Sequence, residues 1–557
     1  MRNPRRNNAI RLAAVVVFYA SVPASFSQTS IRFTDITEKS GVRFTHTDGS
    51  SGQHYIVEYV SAGMATFDFD NDGDIDIYFL NGSPQPGANK KQTPRNALYR
   101  NDGNWRFTDV SRQANVDHAG HGLGVTVGDY DNDGDADIYL NNMGPNTLYR
   151  NNGDGTFTDV TDAAGVKNGD RVGAGTCFVD IDNDGDLDLY AANYIKYSYD
   201  KHIPRTQQGF PVYGSPRDYP PDPDTLFRNN GDGTFADVSI ESGIANQAAY
   251  GMGMVCADYD SDGDSDIFVG NDVGANFLFE NDGRGKFKEV ALIKGFAYDG
   301  RGTIQGTMGL DCADFDNDGH LDFHVTSYQH ELATLYKNLS GTFLQDVTNL
   351  SGVGRGTFAQ VTWGNGFADF DNDGDRDIFI ACGHLYDNVD QFDDRTSYNA
   401  KNLVLQNEGN GRFSQPVGKL GSGMAVKLSS RGACFDDLDN DGDLDVIVLN
   451  SRQQPTLLRN DSRNTNNWVQ LILQGSYSNR DAVGSRVEII SGAQKQIAEV
   501  HSGRGYQGHF GSRLHFGLGK DDRIDEIRIK WPSGKVDVLQ DQPAKQIISI
   551  QERRVGD

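Results

Sequence analysis

The chain has 557 residues and a formal charge of -27, with 78 acidic residues against 51 Lys and Arg. Aromatic content of 10% is too high for a disordered chain despite that charge, and its 65 glycines follow no triplet period, which excludes collagen. So acidic a surface argues against sequence-independent DNA or RNA binding, which needs a basic face for the phosphates.

Residues 1–27 read as a secretory signal. Arg2, Arg5, Arg6 and Arg11 make a basic start, Leu12 to Val22 is an apolar run, and small residues follow at Ala24, Ser25 and Ser27. That run is too short to span a bilayer, and no later stretch reaches the roughly twenty apolar residues a spanning helix needs. The expectation is an exported chain with no transmembrane segment. Its five cysteines (Cys177, Cys256, Cys312, Cys382 and Cys434) are few, and four of them precede an acidic motif by two or three residues. They read as small buried hydrophobes, with a disulfide between neighbouring repeats as the alternative.

The dominant feature is a repeat of the form D-x-D-x-D-G-x-x-D. It begins at Asp68, Asp129, Asp180, Asp258, Asp314, Asp369 and Asp437, at spacings of 51 to 78 residues, with Ser261 replacing Asn at position four once. Each of the first six copies is followed by a second signature, such as the stretches at 96–110, 147–160, 225–238, 277–290, 334–347 and 403–417. Apolar alternation on both sides of an Asn-Gly or Gly-x-Gly turn describes a β-hairpin. Together with the alternations flanking the acidic loop, one unit is four strands, the loop joining the first two. The seventh unit stops at Leu457-Leu458-Arg459-Asn460 without its last strand, and a matching segment, Phe33-Thr34-Asp35-Ile36, stands at the other end of the chain. The predicted fold is therefore all-β: a seven-bladed β-propeller over residues 28–460, closed by the N-terminal strand so that no sheet edge is left open. Residues 461–557 add a small C-terminal β-sandwich with short strands expected around 469–473, 487–490, 496–500, 526–529, 536–539 and 547–550.

The spacing of the acids points to a metal. Side chains at positions 1, 3 and 5 of a tight loop converge, glycine at 6 permits the turn, and the carbonyl at 7 with a carboxylate at 9 completes an all-oxygen shell suited to calcium. The candidate ligands are Asp68, Asp70, Asp72, Asp74 and Asp76 in the first loop and Asp129, Asp131, Asp133, Asp135 and Asp137 in the second. The third and fourth hold Asp180, Asp182, Asp184, Asp186 and Asp188, then Asp258, Asp260, Asp262, Asp264 and Asp266. The fifth has Asp314, Asp316, Asp318, His320 and Asp322, where His320 at position 7 is tolerable because only its carbonyl is needed. Asp369, Asp371, Asp373, Asp375 and Asp377 form the sixth, and Asp437, Asp439, Asp441, Asp443 and Asp445 the seventh. Up to seven Ca2+ sites follow. Zinc is disfavoured without Cys/His clusters; magnesium is possible but usually keeps several waters. An EF-hand is excluded because position 12 is Phe79 or Leu140 rather than Glu. Solvated turn-forming aspartates are the other alternative, since Asp, Asn and Gly favour turns on their own.

These loops and hairpins resemble FG-GAP/VCBS-type repeats, the propeller blades also found in integrin α chains, over about residues 31–460. Residues 464–553 resemble an ASPIC/UnbV domain through Asn467-Trp468-Val469-Gln470-Leu471, Asn479-Arg480-Asp481-Ala482-Val483-Gly484, His515-Phe516-Gly517-Leu518-Gly519 and Trp531-Pro532-Ser533-Gly534. The pair is similar to the secreted cartilage-acidic-protein-like family. One departure is Gly508-His509-Phe510-Gly511, where the family more often has a Ser/Gln-rich stretch.

Two long insertions, Ile195 to Asp224 and Gly383 to Ala400, carry many aromatics and suit a protein or glycan partner, or else pack on their own rings. No G-x-S-x-G, H-E-x-x-H or Walker-type loop is present. His46, His54, His384 and His501 lie near acids at no spacing that specifies catalysis. The functional expectation is a secreted, periplasmic or cell-surface, calcium-binding, non-catalytic interaction or adhesion protein. The alternatives are a polysaccharide lyase or hydrolase built on a propeller, and a scaffold in an exported complex.

Overall fold

A computed structural model describes residues 31–61, 63–88, 93–416 and 418–553; the signal segment expected at 1–27 lies outside the described residues. Among those described, helices are four residues long at most, and strands carry the architecture. No described helix is long and apolar enough to cross a membrane.

The repeat unit folds as its pattern requires. In the first sheet, Met64–Phe67 pairs antiparallel with Asp76–Phe79, which pairs with Ala97–Asn101, which pairs with Phe107–Asp109. The acidic loop joins strands one and two, with Phe67 opposite Asp76. Six further sheets follow the same order, starting from His121–Gly128, Gly173–Val179, Gly251–Ala257, Leu310–Ala313, Thr362–Ala368 and Ser430–Asp436. The seventh takes its fourth strand from the chain start: Phe33–Asp35 pairs with Thr456–Asn460 in register Phe33 to Asn460 and Asp35 to Leu458.

The first strands are buried along nearly their whole length and pack in succession, each against that of the next sheet, with the seventh returning to the first. That approach explains glycine at specific inner positions. A Cβ on Gly124 would stand 1.9 Å from the Ala174 carbonyl oxygen, and one on Gly309 would stand 2.2 Å from that of Trp363. All five thiols are free and buried, as read from the sequence; Cys177 and Cys256, on neighbouring first strands, bring their sulfurs within 2.7 Å.

The C-terminal segment forms two sheets. Leu514–Gly519, Asn467–Gln474 and Gln546–Gln551 make one, the last pair running parallel; Gln494–Glu499, Arg486–Ser491, Arg523–Lys530 and Val536–Pro543 make the other. Leu514–Gly519 lies outside the strands expected from the sequence, because its glycines mask its alternation. Gly517 is needed there, because a Cβ would meet the Asp369 carboxylate at 2.0 Å.

Between the two C-terminal sheets, residues 501–511 thread into the circuit of first strands. Gly505 exchanges backbone hydrogen bonds with Leu310, and His509 exchanges them with Met64 and Thr66, while the Gln507 carbonyl accepts from the Val125 N–H. The departure at Gly508 to Gly511 therefore belongs to a segment held by backbone bonds at the centre. On the far side, Tyr506 meets Trp363 edge to face at 5.2 Å and donates to the Val60 carbonyl at 2.7 Å. The two aromatic insertions close over that side largely by packing on each other: Phe210 stacks on Phe392, Tyr213 on Tyr386, and Asn388 donates to the Pro211 carbonyl.

Candidate metal centre: seven acidic loops and the domain seated on them

Each loop is shaped by its own backbone. Position four adopts a left-handed conformation in all seven (φ 56 to 66°), which asparagine tolerates and which the lone Ser261 copies. The glycine at position six lies at φ 89 to 105°, open only to a residue without a Cβ. Asp68 then accepts the N–H of Asp72 at 3.1 Å and of Gly73 at 2.9 Å, and Asp129, Asp314, Asp369 and Asp437 do the same in their loops. In the third and fourth loops, Asp180 and Asp258 accept the glycine N–H. The position-five carboxylate turns to the N–H two residues on: Asp72, Asp133, Asp184, Asp262, Asp318, Asp373 and Asp441 all do so.

Carboxylates from positions 1, 3 and 9 converge. Oxygens of Asp68, Asp70 and Asp76 lie within 4.8 Å of one another, as do those of Asp129, Asp131 and Asp137, of Asp180, Asp182 and Asp188, and of Asp314, Asp316 and Asp322. In the fourth loop the converging set is Asp258, Asp260 and Asp262, and two further such groups occur among the described residues. At position three, Asp70, Asp131, Asp182, Asp316 and Asp439 each point one buried oxygen at no hydrogen-bond donor. A buried carboxylate oxygen without a donor carries a large desolvation cost. The same orphan at the same position in five loops is what an oxygen-coordinated cation would relieve, so the donor set fits calcium.

Burial raises these carboxyls. Asp76 is pushed up to about 9, Asp129 to about 8 and Asp180 to about 7, in each case chiefly by desolvation; at Asp129 the nearby Asp481 adds to it. Asp137, Asp188, Asp266, Asp322, Asp377 and Asp445 are raised well above the ordinary carboxyl range for the same reason. Each loop, left without a cation, resists its own full ionisation.

Position seven does something the spacing did not reveal. The Asn71 amide donates to Asp135 of the next loop at 2.9 Å and lies 3.4 Å from the Gly134 carbonyl. Asn132 reaches Asp186, Asn183 reaches Asp264, Asn317 reaches Asp375, Asn372 reaches Asp443, and Asn440 returns to Asp74. The position-seven carboxylates thus receive the neighbouring loop's asparagine. One seam lacks this clasp, between the loops where Ser261 stands for Asn and His320 for Asp. Arg486 of the C-terminal domain bridges it, donating to Ser261 Oγ at 3.4 Å and to the Gly319 carbonyl at 2.5 Å.

A second set of clasps joins each sheet to the one before it. The asparagine ending the third strand of every sheet (Asn101, Asn151, Asn229, Asn281, Asn338, Asn407 and Asn460) gives its N–H to the position-nine carboxylate. Its amide donates to the position-two carbonyl of the preceding sheet's loop, as Asn151 does to Phe69, and Asn101 does so to Leu438 across the chain ends. The signal was in the sequence as a fixed Asn in every L-Y-R-N-type hairpin.

The C-terminal domain is seated on this face. Arg480 N–H donates to Asn132 Oδ1 at 2.8 Å, Arg513 donates to Asn440 Oδ1 at 2.6 Å and to the Gly73 carbonyl at 2.9 Å, and His515 Nε2 lies 2.7 Å from Asn372 Oδ1. Asp481 accepts the Asp129 N–H, Gln470 donates to Asp437, and Gln494 to the Asp373 carbonyl. The histidines near acids are elsewhere engaged: His46 and His501 are buried and held down to about 3, mainly by desolvation, hence neutral.

Comparison with known proteins agrees with this anatomy. An FG-GAP-like repeat model matches residues 68–140, 136–191, 213–269, 258–325, 314–380 and 369–448, and the ASPIC and UnbV model matches 475–556. The chain is similar to mouse cartilage acidic protein 1, 27% identical over 497 residues covering 85% of this chain and 71% of that one. To the human cartilage acidic protein 1 it is 26% identical, over 85% of this chain and 69% of that one. Among solved structures it resembles an Agrocybe aegerita lectin, with a TM-score of 0.40 and 18% identity over 72% of this chain and 94% of that one. With its repeated acidic loops matched over most of its length and its C-terminal domain matched separately, the chain belongs to the FG-GAP-like repeat family and carries an ASPIC/UnbV domain.

Proposed function

We propose that this chain is an exported, calcium-binding interaction protein with no catalytic activity of its own, and that its partner is an extracellular protein or glycan. In this reading the seven sheets of residues 28–460 are blades of a closed seven-bladed β-propeller, and residues 461–557 are a β-sandwich fixed to its loop face. The observation that carries it is the donor-less buried oxygen at position three, recurring beside the carboxylates of positions 1 and 9. Calcium would be held by those three carboxylates, the position-five carboxylate and the position-seven carbonyl, and would supply the positive charge that lets all of them ionise. The ring then serves as a rigid platform, with the aromatic insertions on the face away from the metal loops.

Thermal melting in calcium and in chelator tests the metal; a loop-held ion contributes folding energy directly. A melting temperature unmoved by chelator would remove the calcium reading. A glycan array and a pull-down, each run with and without calcium, test the partner class, and mass spectrometry of glycans incubated with the chain tests for cleavage. Cleavage products would replace the interaction reading with a polysaccharide-active enzyme.

A further inference from the structure

The seven loops are chemically unequal, and the repeat supplies its own internal control. The residue before the clasping asparagine, at the end of the third strand, lies beside its own acidic loop. In four repeats it is arginine: Arg100, Arg150, Arg228 and Arg459. Two of these pair with an acid two residues on, Arg100 with Asp102 at 2.7 Å and Arg459 with Asp461 at 2.9 Å, while the charges of Arg100, Arg150 and Arg228 still reach the position-three carboxyls Asp70, Asp131 and Asp182. In the fourth repeat the residue is Glu280, paired with Lys294 at 3.0 Å, and in the sixth it is Gln406, which donates to Asp371 at 3.1 Å.

The fifth repeat stands apart. Its residue is Lys337, and two residues on stands Leu339, where the second and third repeats have Asn152 and Asn230. The ammonium turns inward, pairing with Asp316 at position three and with Asp318 at position five, the latter at 3.0 Å. Its cross-strand partner is Gln345, which offers no competing charge. The same loop has His320 where every other has a position-seven carboxylate. It therefore carries one acid fewer than its neighbours, and two of those left already hold a cation supplied by the chain.

We infer that Lys337 is a built-in counter-ion of the fifth loop, so that this loop is folded without calcium and binds it at least tenfold more weakly than its neighbours. The inference rests on the calcium reading above. A dication must displace the ammonium from Asp316 and Asp318, and the lysine stem has no acid at position 339 to receive it. Lysine suits the role because its ammonium is a compact charge on a flexible stem, while the planar guanidinium of Arg100 is held in a fork on Asp102. Part of the charge neutralisation that calcium provides elsewhere is here permanent.

The test counts tightly bound calcium on the full chain after chelator treatment, by native mass spectrometry alongside calorimetric titration with calcium chloride. The wild-type chain is expected to hold one tight ion fewer than it has loops, with the remaining site at least tenfold weaker, or about 1.4 kcal/mol. Two variants approach the same point from different sides. Lys337→Gln installs the residue of the sixth repeat, and Leu339→Asp, at a partly exposed position, gives the ammonium the partner that Arg100 has. Both are expected to gain one tight ion. If the wild-type chain fills every loop in one affinity class and neither variant changes the count, Lys337 is no counter-ion and the inference is overturned while calcium binding stands. Should the wild-type chain take up no calcium at all, the calcium reading fails and the inference falls with it.

Discussion

Asp76→Asn is expected to change sign with calcium. The Asp76 carboxyl is fully buried, and desolvation pushes it up to about 9 from 3.8. Its folded-state pKa is raised, so the folded chain binds more protons than the unfolded chain between those values, and stability is lost as pH rises through them. At pH 7 without metal, the interval from 3.8 to 7 corresponds to about 4 kcal/mol opposing the folded loop. Asparagine removes that opposition but brings a cost. Both Asp76 oxygens are used, one accepting the Phe69 N–H at 3.0 Å and the other the Asn101 N–H at 2.7 Å. An amide accepts at one atom only, so one N–H loses its partner, for about 1–3 kcal/mol. In chelator the variant should thus be more stable than the wild type by about 1–3 kcal/mol. In saturating calcium it lacks a ligand and should be less stable. Paired denaturant melts in calcium and in chelator measure both arms. Equal destabilisation in the two conditions would refute the reasoning, because it would show that burial of this carboxylate costs nothing without an ion.

Two further outcomes follow from the same groups. In chelator, stability should fall steadily as pH rises from about 4 to about 9, because Asp76, Asp129 and Asp180 are raised to about 9, 8 and 7; in saturating calcium the slope should reverse, since protons then compete with the ion. Melts at a few pH values with and without calcium decide it, and parallel slopes would contradict it. Arg486→Ala should loosen the one seam without an asparagine clasp, at a cost of about 1–3 kcal/mol, seen as faster hydrogen exchange in residues 258–266 and 314–322 but not in the other loops. Adding Ser261→Asn should restore protection by giving the Gly319 carbonyl an amide donor; no rescue would mean that the arginine acts elsewhere.

What the sequence disclosed and what it hid divide along a physical line. The acidic loops were legible because carboxylates that converge from one nine-residue turn need a fixed spacing, and those of positions 1, 3 and 9 do converge in the first, second, third and fifth loops. The pairing of Phe33–Asp35 with Thr456–Asn460 was legible because the missing strand of one repeat stood at the other end of the chain. Contacts between repeats were not. Asn101 is fixed by a carbonyl at Leu438, and Asn71 by a carboxylate at Asp135, neither of which its own repeat contains. A single repeat viewed alone shows only an asparagine in a turn, which turn chemistry already accounts for. Lys337 was hidden differently: its charge matches the arginines at the same position, and only Leu339 in place of an acid separates it from Arg100. The strand Leu514–Gly519 was lost because close approach to the Asp369 loop demands glycine where a strand pattern wants an apolar side chain.

The segment 501–511 makes the two parts of the chain one mechanical unit, and Tyr506 is where that coupling is concentrated. Its ring is 1% exposed, meets Trp363 edge to face, and its hydroxyl is bound to the Val60 carbonyl. Trp363 in turn carries the Arg431 guanidinium over its ring at 4.1 Å, and Arg431 donates to the Tyr59 carbonyl, so sheets six and seven and the segment before sheet one all meet at this ring. Truncating a buried aromatic of this kind costs about 3–5 kcal/mol. That cost does not fall on one domain: the segment leaves the C-terminal sheets, crosses the circuit of first strands and returns, so loosening it weakens the docking over the acidic loops as well. The wild-type chain should therefore unfold in a single transition. Tyr506→Ala should lower it and split it, with residues 461–553 losing hydrogen-exchange protection ahead of the seven sheets. A variant that melts lower but still in one step, with protection lost uniformly, would show that the loop face alone holds the C-terminal domain and that the central segment only fills space.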